Sequence, residues 1–309
     1  NTFVFMCLRA LQAIAACTFV VARAIVRDTT ETQASGSKIA YISMGTAICP
    51  MFGPALGGLM DGWFGWEANF WFIGGLGLFI LVIAYFDLGE TVPENTQGFR
   101  QQFSEYPELL LSRRFWGYCL ASAFGAGAFF AYLGGGPFVG SIVYNLSPEM
   151  LGLYFGAPAI GYFFGNFLSG RFTIRFGIDA MILWGLWIIF SGLSLSMVCS
   201  YVGYGTVETF FGFMIFVGLG NGLTIPNATA GMLSVRPHLA GTASGLGGAM
   251  MIAIGAALST LAGAFLVPGS NEMPLLMLMW LSSLSGVAVI IYVRQRNKRL
   301  KNLSNTGSS

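Results

Sequence analysis

Nine apolar runs of bilayer-spanning length constrain this chain more than any other feature. They can be drawn at roughly 2–24, 38–61, 67–88, 115–137, 149–169, 178–200, 209–232, 239–266 and 274–293, against about 20 residues needed for a spanning helix. A water-soluble globule could not hide them, because a chain that is 55% hydrophobic and only 9% charged has too little polar surface to coat itself. The sequence therefore predicts an all-α polytopic membrane protein.

Charge orients the runs. The connections 25–38, 89–114, 170–178 and 233–238 and the tail from Arg294 carry the lysines and arginines between spans. The alternate connections, around Asp61 and Glu67, Glu149, Glu208 and Glu272, carry acids and no Lys or Arg. This positive-inside bias puts the 89–114 loop and the C-terminus in the cytoplasm. A polybasic tail is also compatible with lipid or nucleic-acid binding; its plainer role is to set topology, and no nucleic-acid partner is expected. Nine spans with a cytoplasmic C-terminus leave the N-terminus outside. The chain opens inside a span, "NTFVFMCLRALQ", with no initiator Met or signal peptide, so earlier helices are expected to be missing from it.

Little here suggests an enzyme. The five cysteines, Cys7, Cys17, Cys49, Cys119 and Cys199, form no metal-ligand pair and read as small packing residues. The single histidine, His238, sits at a helix junction, and no G-x-S-x-G, H-E-x-x-H or P-loop occurs. Catalysis in a bilayer would need a cluster of polar ligands within the spans. No catalytic residue, metal or cofactor is expected.

The polar residues inside the runs are few. Arg9 lies one turn from Gln12 on the same face. A mid-helix arginine costs about 2.5–3.5 kcal/mol to insert, so Arg9 either faces a cavity or partner or snorkels to the outer interface. Asn166, Asn221 and Asn227 read as interhelical hydrogen-bonding groups. No Asp or Glu lies mid-run.

Small residues form stripes. Gly45, Cys49, Gly53 and Gly57 recur every four residues, as do Ala157, Gly161, Gly165 and Ser169, and a third stripe runs from Gly241 to Ala257. In "CPMFGPALGG", residues 49–58, Pro50 and Pro54 lie over the first stripe, and each removes a backbone donor and bends the helix. "YLGGGPF" and "GLGNGLTIPNATAG" carry the same mixture in the fourth and seventh runs. Bent helices with flat faces suit a carrier whose halves rock about a midplane site. The first stripe is expected to pack on the second, with Cys49 either loosening that contact slightly or accommodated by a small partner such as Gly161.

These motifs resemble the major facilitator superfamily. "LRALQ" is similar to the R-x-x-Q-G pattern of its fourth helix, matched by Arg9 and Gln12, with Ala13 in place of the glycine. "CPMFGPALGG" resembles the antiporter motif G-x-x-x-G-P-x-x-G-G of the fifth helix at Gly53, Pro54, Gly57 and Gly58, with Cys49 in place of the first glycine. "RAIVRD", "YLGGGPFV", "YNLSPEMLG" and "AGTASGLGG" resemble the Bcr/CflA drug-resistance branch of the 12-helix proton antiporters, and "SGRFTIRFG" resembles the degenerate cytoplasmic loop motif.

The resemblance implies a major facilitator fold containing helices four to twelve of twelve. Residues 1–88 would be the remainder of the N-terminal bundle, 89–114 the central cytoplasmic loop, 115–293 a C-terminal six-helix bundle and 294–309 a basic tail. It implies a monomeric multidrug efflux carrier of the bacterial inner membrane, with a small amphipathic drug, protons and the lipid bilayer as its partners and a proton gradient in place of a cofactor. Arg9 and Gln12 would serve the proton pathway or hold the first half together. Arg171 and Arg175 would belong to a cytoplasmic gate. Tyr132, Pro137, Asn221, Pro226 and Asn227 are candidates for the substrate cavity wall. Two other readings stay open: a transport-inactive fragment of such a carrier, and a membrane scaffold or receptor.

Overall fold

A computed structural model describes residues 2–12, 53, 56–87, 89, 107, 109–236 and 240–306. Every element among them is helical: α1 (Thr2–Gln12), α2 (Glu67–Asp87), α3 (Arg113–Phe138), α4 (Pro148–Phe155), α5 (Ala157–Phe176), α6 (Ile178–Tyr201), α7 (Val207–Val235), α8 (Ala240–Phe265) and α9 (Met273–Thr306). Six of the described helical stretches are long and apolar enough to cross a membrane. The chain is a multi-pass membrane protein.

Cα packing divides it into two units, Asn1–Cys49 with Phe70–Gly98 and Pro50–Asn69 with Phe99–Ser309. In the first unit, α1 is exposed throughout its described side chains. No residue of α2 is buried, although this helix is apolar on every face; a bilayer accepts such a surface where water would not.

In the second unit, helix ends follow local chemistry. The Ser112 hydroxyl caps α3 by accepting from the Phe115 N–H at 3.3 Å. Ser147 caps α4, with Pro148 in the first turn, where a missing N–H costs nothing. Thr206 and Thr209 cap α7 reciprocally. Gly65 (φ 82°) turns the chain between the helical residues 56–64 and α2, and Gly177 (φ 81°) separates α5 from α6; both backbones sit where a side chain is strained.

Prolines set the bends. Near the end of α3, Pro137 precedes a wider π turn, Val139–Val143, closed by the Tyr144 N–H on the Val139 carbonyl at 3.0 Å. The fifth apolar run, drawn from sequence as one helix, is two: Gly156 and Pro158 break it between α4 and α5.

Helix α7 packs against α5, α6 and α3, and α3 packs in turn against α8 and α9. The α5–α7 contact is backbone against backbone. A Cβ on Gly161 would overlap the Ile215 carbonyl oxygen, one on Gly165 that of Leu219, and one on Gly218 that of Pro158. At Gly222 a Cβ would stand 2.6 Å from the Asn166 nitrogen. The stripe on α5 is therefore met by glycines on α7, which corrects the expectation that it packs on the stripe of the second run. The physical reason is reciprocity: two backbones touch only where both surfaces lack side chains. Gly161 faces Ile215, and Gly45, Cys49 and Pro50 lie outside the described residues.

Candidate functional site

Arg9 donates through a terminal nitrogen to Gln12 Oε1 at 3.0 Å, one turn along α1, as their spacing predicts. Its guanidinium also lies over the rings of Phe5 and Phe70, at 5.4 and 5.8 Å. The matched pair is thus a local unit, held by one hydrogen bond and two ring faces.

Of the antiporter motif, Pro54 lies outside the described residues. Gly57 gives its carbonyl to Asn69 Nδ2 at 3.2 Å, which ties the motif to the start of α2. Gly58 is the tight position: a Cβ there would stand 2.6 Å from the Pro148 carbonyl and 3.0 Å from Gly152 Cα. The motif therefore meets the chain at the start of α4. Gly53 has open space around it.

The five cavity candidates fall into separate settings. Tyr132 is wholly buried, donates to the Phe155 carbonyl at 3.2 Å and stacks on the Phe155 ring at 4.5 Å, with Phe211 edge-on at 6.3 Å. It thereby satisfies a carbonyl at the α4–α5 break that the interrupted helix leaves free. Pro137 is exposed and Pro226 half-buried. Asn221, 3% exposed, lies near Leu186 and Thr224 where α3, α6 and α7 meet, and its Oδ1 is 3.3 Å from where Gly125 would carry a Cβ. Neither Asn221 Oδ1 nor Thr224 Oγ1 has a protein partner.

Asn227, 2% exposed, is fully engaged. Its amide nitrogen donates to Ser169 Oγ at 2.7 Å and to the Leu223 carbonyl at 2.7 Å, and its oxygen accepts from Thr173 Oγ1 at 2.9 Å. This is the interhelical hydrogen bonding that an asparagine in a span supplies. The gate candidates Arg171 and Arg175 are exposed on α5, with Arg175 over the Phe176 ring at 5.3 Å.

Two polar clusters escaped the sequence reading. At one end of the bundle, Tyr118 Oη donates to Asp179 Oδ1 at 2.7 Å, and Asn297 Nδ2 donates to Tyr118 Oη at 3.1 Å and to Asp179 Oδ2 at 2.9 Å. These join α3, α6 and α9, and their distance in sequence left no local signal. At the other end, Glu272 counted as a loop acid, yet it is only 7% exposed and accepts from the Ser200 hydroxyl. Tyr144 lies beside it; burial first, then the Glu272 carboxylate, push the Tyr144 phenol up from its ordinary value. Among the described residues, no group of three His, Cys, Asp or Glu could hold a metal. Of the cysteines, Cys119 is buried and Cys7 exposed, while Cys17, Cys49 and His238 lie outside the described residues.

A family profile described as Major Facilitator Superfamily matches residues 1–260. The "Bicyclomycin resistance protein homolog" of Haemophilus influenzae is 27% identical over 95% of this chain and 74% of its own length. The "Chloramphenicol resistance protein" of Pseudomonas aeruginosa is 31% identical over 82% of this chain and 61% of its own, and the "Multidrug resistance protein D" of Escherichia coli is 26% identical over 88% and 67%. The chain thus spans about three fifths to three quarters of these relatives. Among solved structures, a bacterial homologue of the human lysosomal transporter Spinster, in its inward-facing occupied conformation, superposes with a TM-score of 0.57 at 19% identity, over 88% of this chain and 70% of that one.

Proposed function

Because the chain belongs to the Major Facilitator Superfamily, a family of transporters rather than an enzyme class, we propose that it serves as a Bcr/CflA-type exporter of small amphipathic drugs. Protons moving inward across the bacterial inner membrane drive the export. One observation carries this reading: relatives aligned over most of the chain bear the names of bicyclomycin, chloramphenicol and multidrug resistance proteins.

The halves would rock about a site near the bilayer midplane, bound without cofactor and served by a monomer. Bending would fall at the Gly156–Pro158 break, at the π turn after Pro137 and at Pro226, where proline has removed a helical hydrogen bond. Gly58, pressed on Pro148 and Gly152, would let the second run slide against α4 without interlocking side chains. Arg9 with Gln12 would serve the proton path, and Arg171 and Arg175 the cytoplasmic gate on the side of the C-terminus.

The test is drug uptake into inverted vesicles bearing the 309-residue chain, with a proton gradient imposed and then collapsed by a protonophore. Uptake that rises with the gradient and disappears with the protonophore is expected. Gradient-independent uptake would remove the proton coupling, and no uptake of any resistance substrate would favour a transport-inactive chain.

A further inference from the structure

A groove of about 420 Å³ runs between α3 and α9 on the outside of the bundle, lined by Arg113, Trp116, Leu120, Ala288, Val289 and Tyr292. Its floor forms because Gly117 carries no side chain: a Cβ there would overlap the Val293 side chain, so the two helices close up beneath the groove. Arg113, Ala288 and Tyr292 are exposed along it, and the lining away from Arg113 and Tyr292 is apolar.

Two arginines stand at the Tyr292 end, Arg113 in the lining and Arg296 beside it. Arg113 is the first residue of α3, so its guanidinium sits beside the positive end of the helix dipole. Arg296 donates to Tyr292 Oη at 3.5 Å, and its Nε is shielded from solvent without a protein partner. Trp116 is pinned near this end by its indole N–H, which donates to the Leu110 carbonyl at 2.7 Å. Trp and Tyr are the rings that settle at a headgroup boundary. Below them, Leu120, Ala288 and Val289 offer an apolar trough in the direction an acyl chain takes from its headgroup.

We infer that the α3–α9 groove binds one anionic phospholipid, its phosphate held by Arg113 and Arg296 and an acyl chain lying along Leu120, Ala288 and Val289. Charge complementarity selects this occupant: two arginines flank a Tyr hydroxyl at the basic end of a membrane helix, and basic pockets between spans take anionic headgroups. This site is separate from the transport reading and rests only on the helices' lying in a bilayer.

Native mass spectrometry of the whole 309-residue chain, released from detergent and titrated with dioctanoyl phosphatidylglycerol or dioctanoyl phosphatidylcholine, tests it. One saturable phosphatidylglycerol is expected, with phosphatidylcholine bound at least about tenfold more weakly. The double variant R113Q/R296Q should weaken phosphatidylglycerol about thirtyfold, following the usual contribution of two basic residues near an anionic headgroup. Leu120→Trp should block the trough and weaken both lipids. Neutralising Lys298, Arg299 and Lys301 together should cost less than about threefold if the groove, not the diffuse charge of the tail, does the binding. Equal binding of the two lipids by the unmodified chain overturns the inference whatever the variants do. So does an unchanged affinity in R113Q/R296Q, or a lipid-free dimer that dissociates as lipid is added, which would make a second copy the occupant.

Discussion

Asn297, near the end of the last span, donates to Asp179 Oδ2 at 2.9 Å across 118 residues of sequence, and Tyr118 donates to the other oxygen of the same carboxylate at 2.7 Å. One carboxylate thereby fastens the ends of α3, α6 and α9. Asp179 lies in the first turn of α6, where the helix dipole also favours a negative charge.

Removing that carboxylate leaves a phenol and an amide without their shared acceptor. Asp179→Ala is expected to destabilise the bundle by about 1–3 kcal/mol, the usual cost of stranding partly buried polar partners. Asn297→Ala should cost less, because Tyr118 and Asp179 keep each other. Denaturant unfolding in detergent reads the difference, and equal losses in the two variants would refute the ordering.

Backbone packing between α5 and α7 leaves no room for a methyl group. Gly218→Ala should destabilise by about 1–3 kcal/mol through overpacking, because the new Cβ overlaps the Pro158 carbonyl. Gly212, on the same helix with open space around it, should accept alanine with little change. Thermal unfolding of the two variants side by side checks this.

The antiporter motif presses on the chain at Gly58. On the proposed transport reading, Gly58→Leu should abolish export while the protein still inserts, because the side chain would meet Pro148 and Gly152 in a contact that rocking of the halves would move. Drug susceptibility of cells, read beside the amount of protein in the membrane, tests it. Undiminished resistance would tell against a moving contact there.

Tyr144 provides a pH signature. Its phenol pKa is raised in the folded chain, by burial first and then by Glu272, so the stabilisation is complete below the ordinary tyrosine value of about 10 and is lost as pH climbs above it. Unfolding midpoints should fall on the alkaline side, and Tyr144→Phe should flatten that limb. A limb unchanged in Tyr144→Phe would assign it to another group.

Local features were legible without coordinates. Apolar runs such as 178–200 and 209–232 became α6 and α7 to within a few residues, because bilayer length and apolarity are properties of a contiguous stretch. The Arg9–Gln12 pair likewise followed from a spacing of three. The break within 149–169 was harder to see, since Gly156 and Pro158 occur in a run whose apolarity never lapses.

What the sequence determined by itself is that this chain is a bundle of membrane helices of a recognisable family, since hydrophobic length, charge bias and short motifs are all written in neighbouring residues. Tertiary structure alone decided which faces meet. It put Gly161 and Gly165 against α7, made Asn227 a hydrogen-bonded tie to Ser169 and Thr173, and turned the loop acid Glu272 into a buried partner of Ser200. A small-residue stripe or an isolated polar group states only that it needs a partner. Which partner it finds depends on the arrangement of several helices at once, and nothing in the linear spacing of one helix encodes that arrangement.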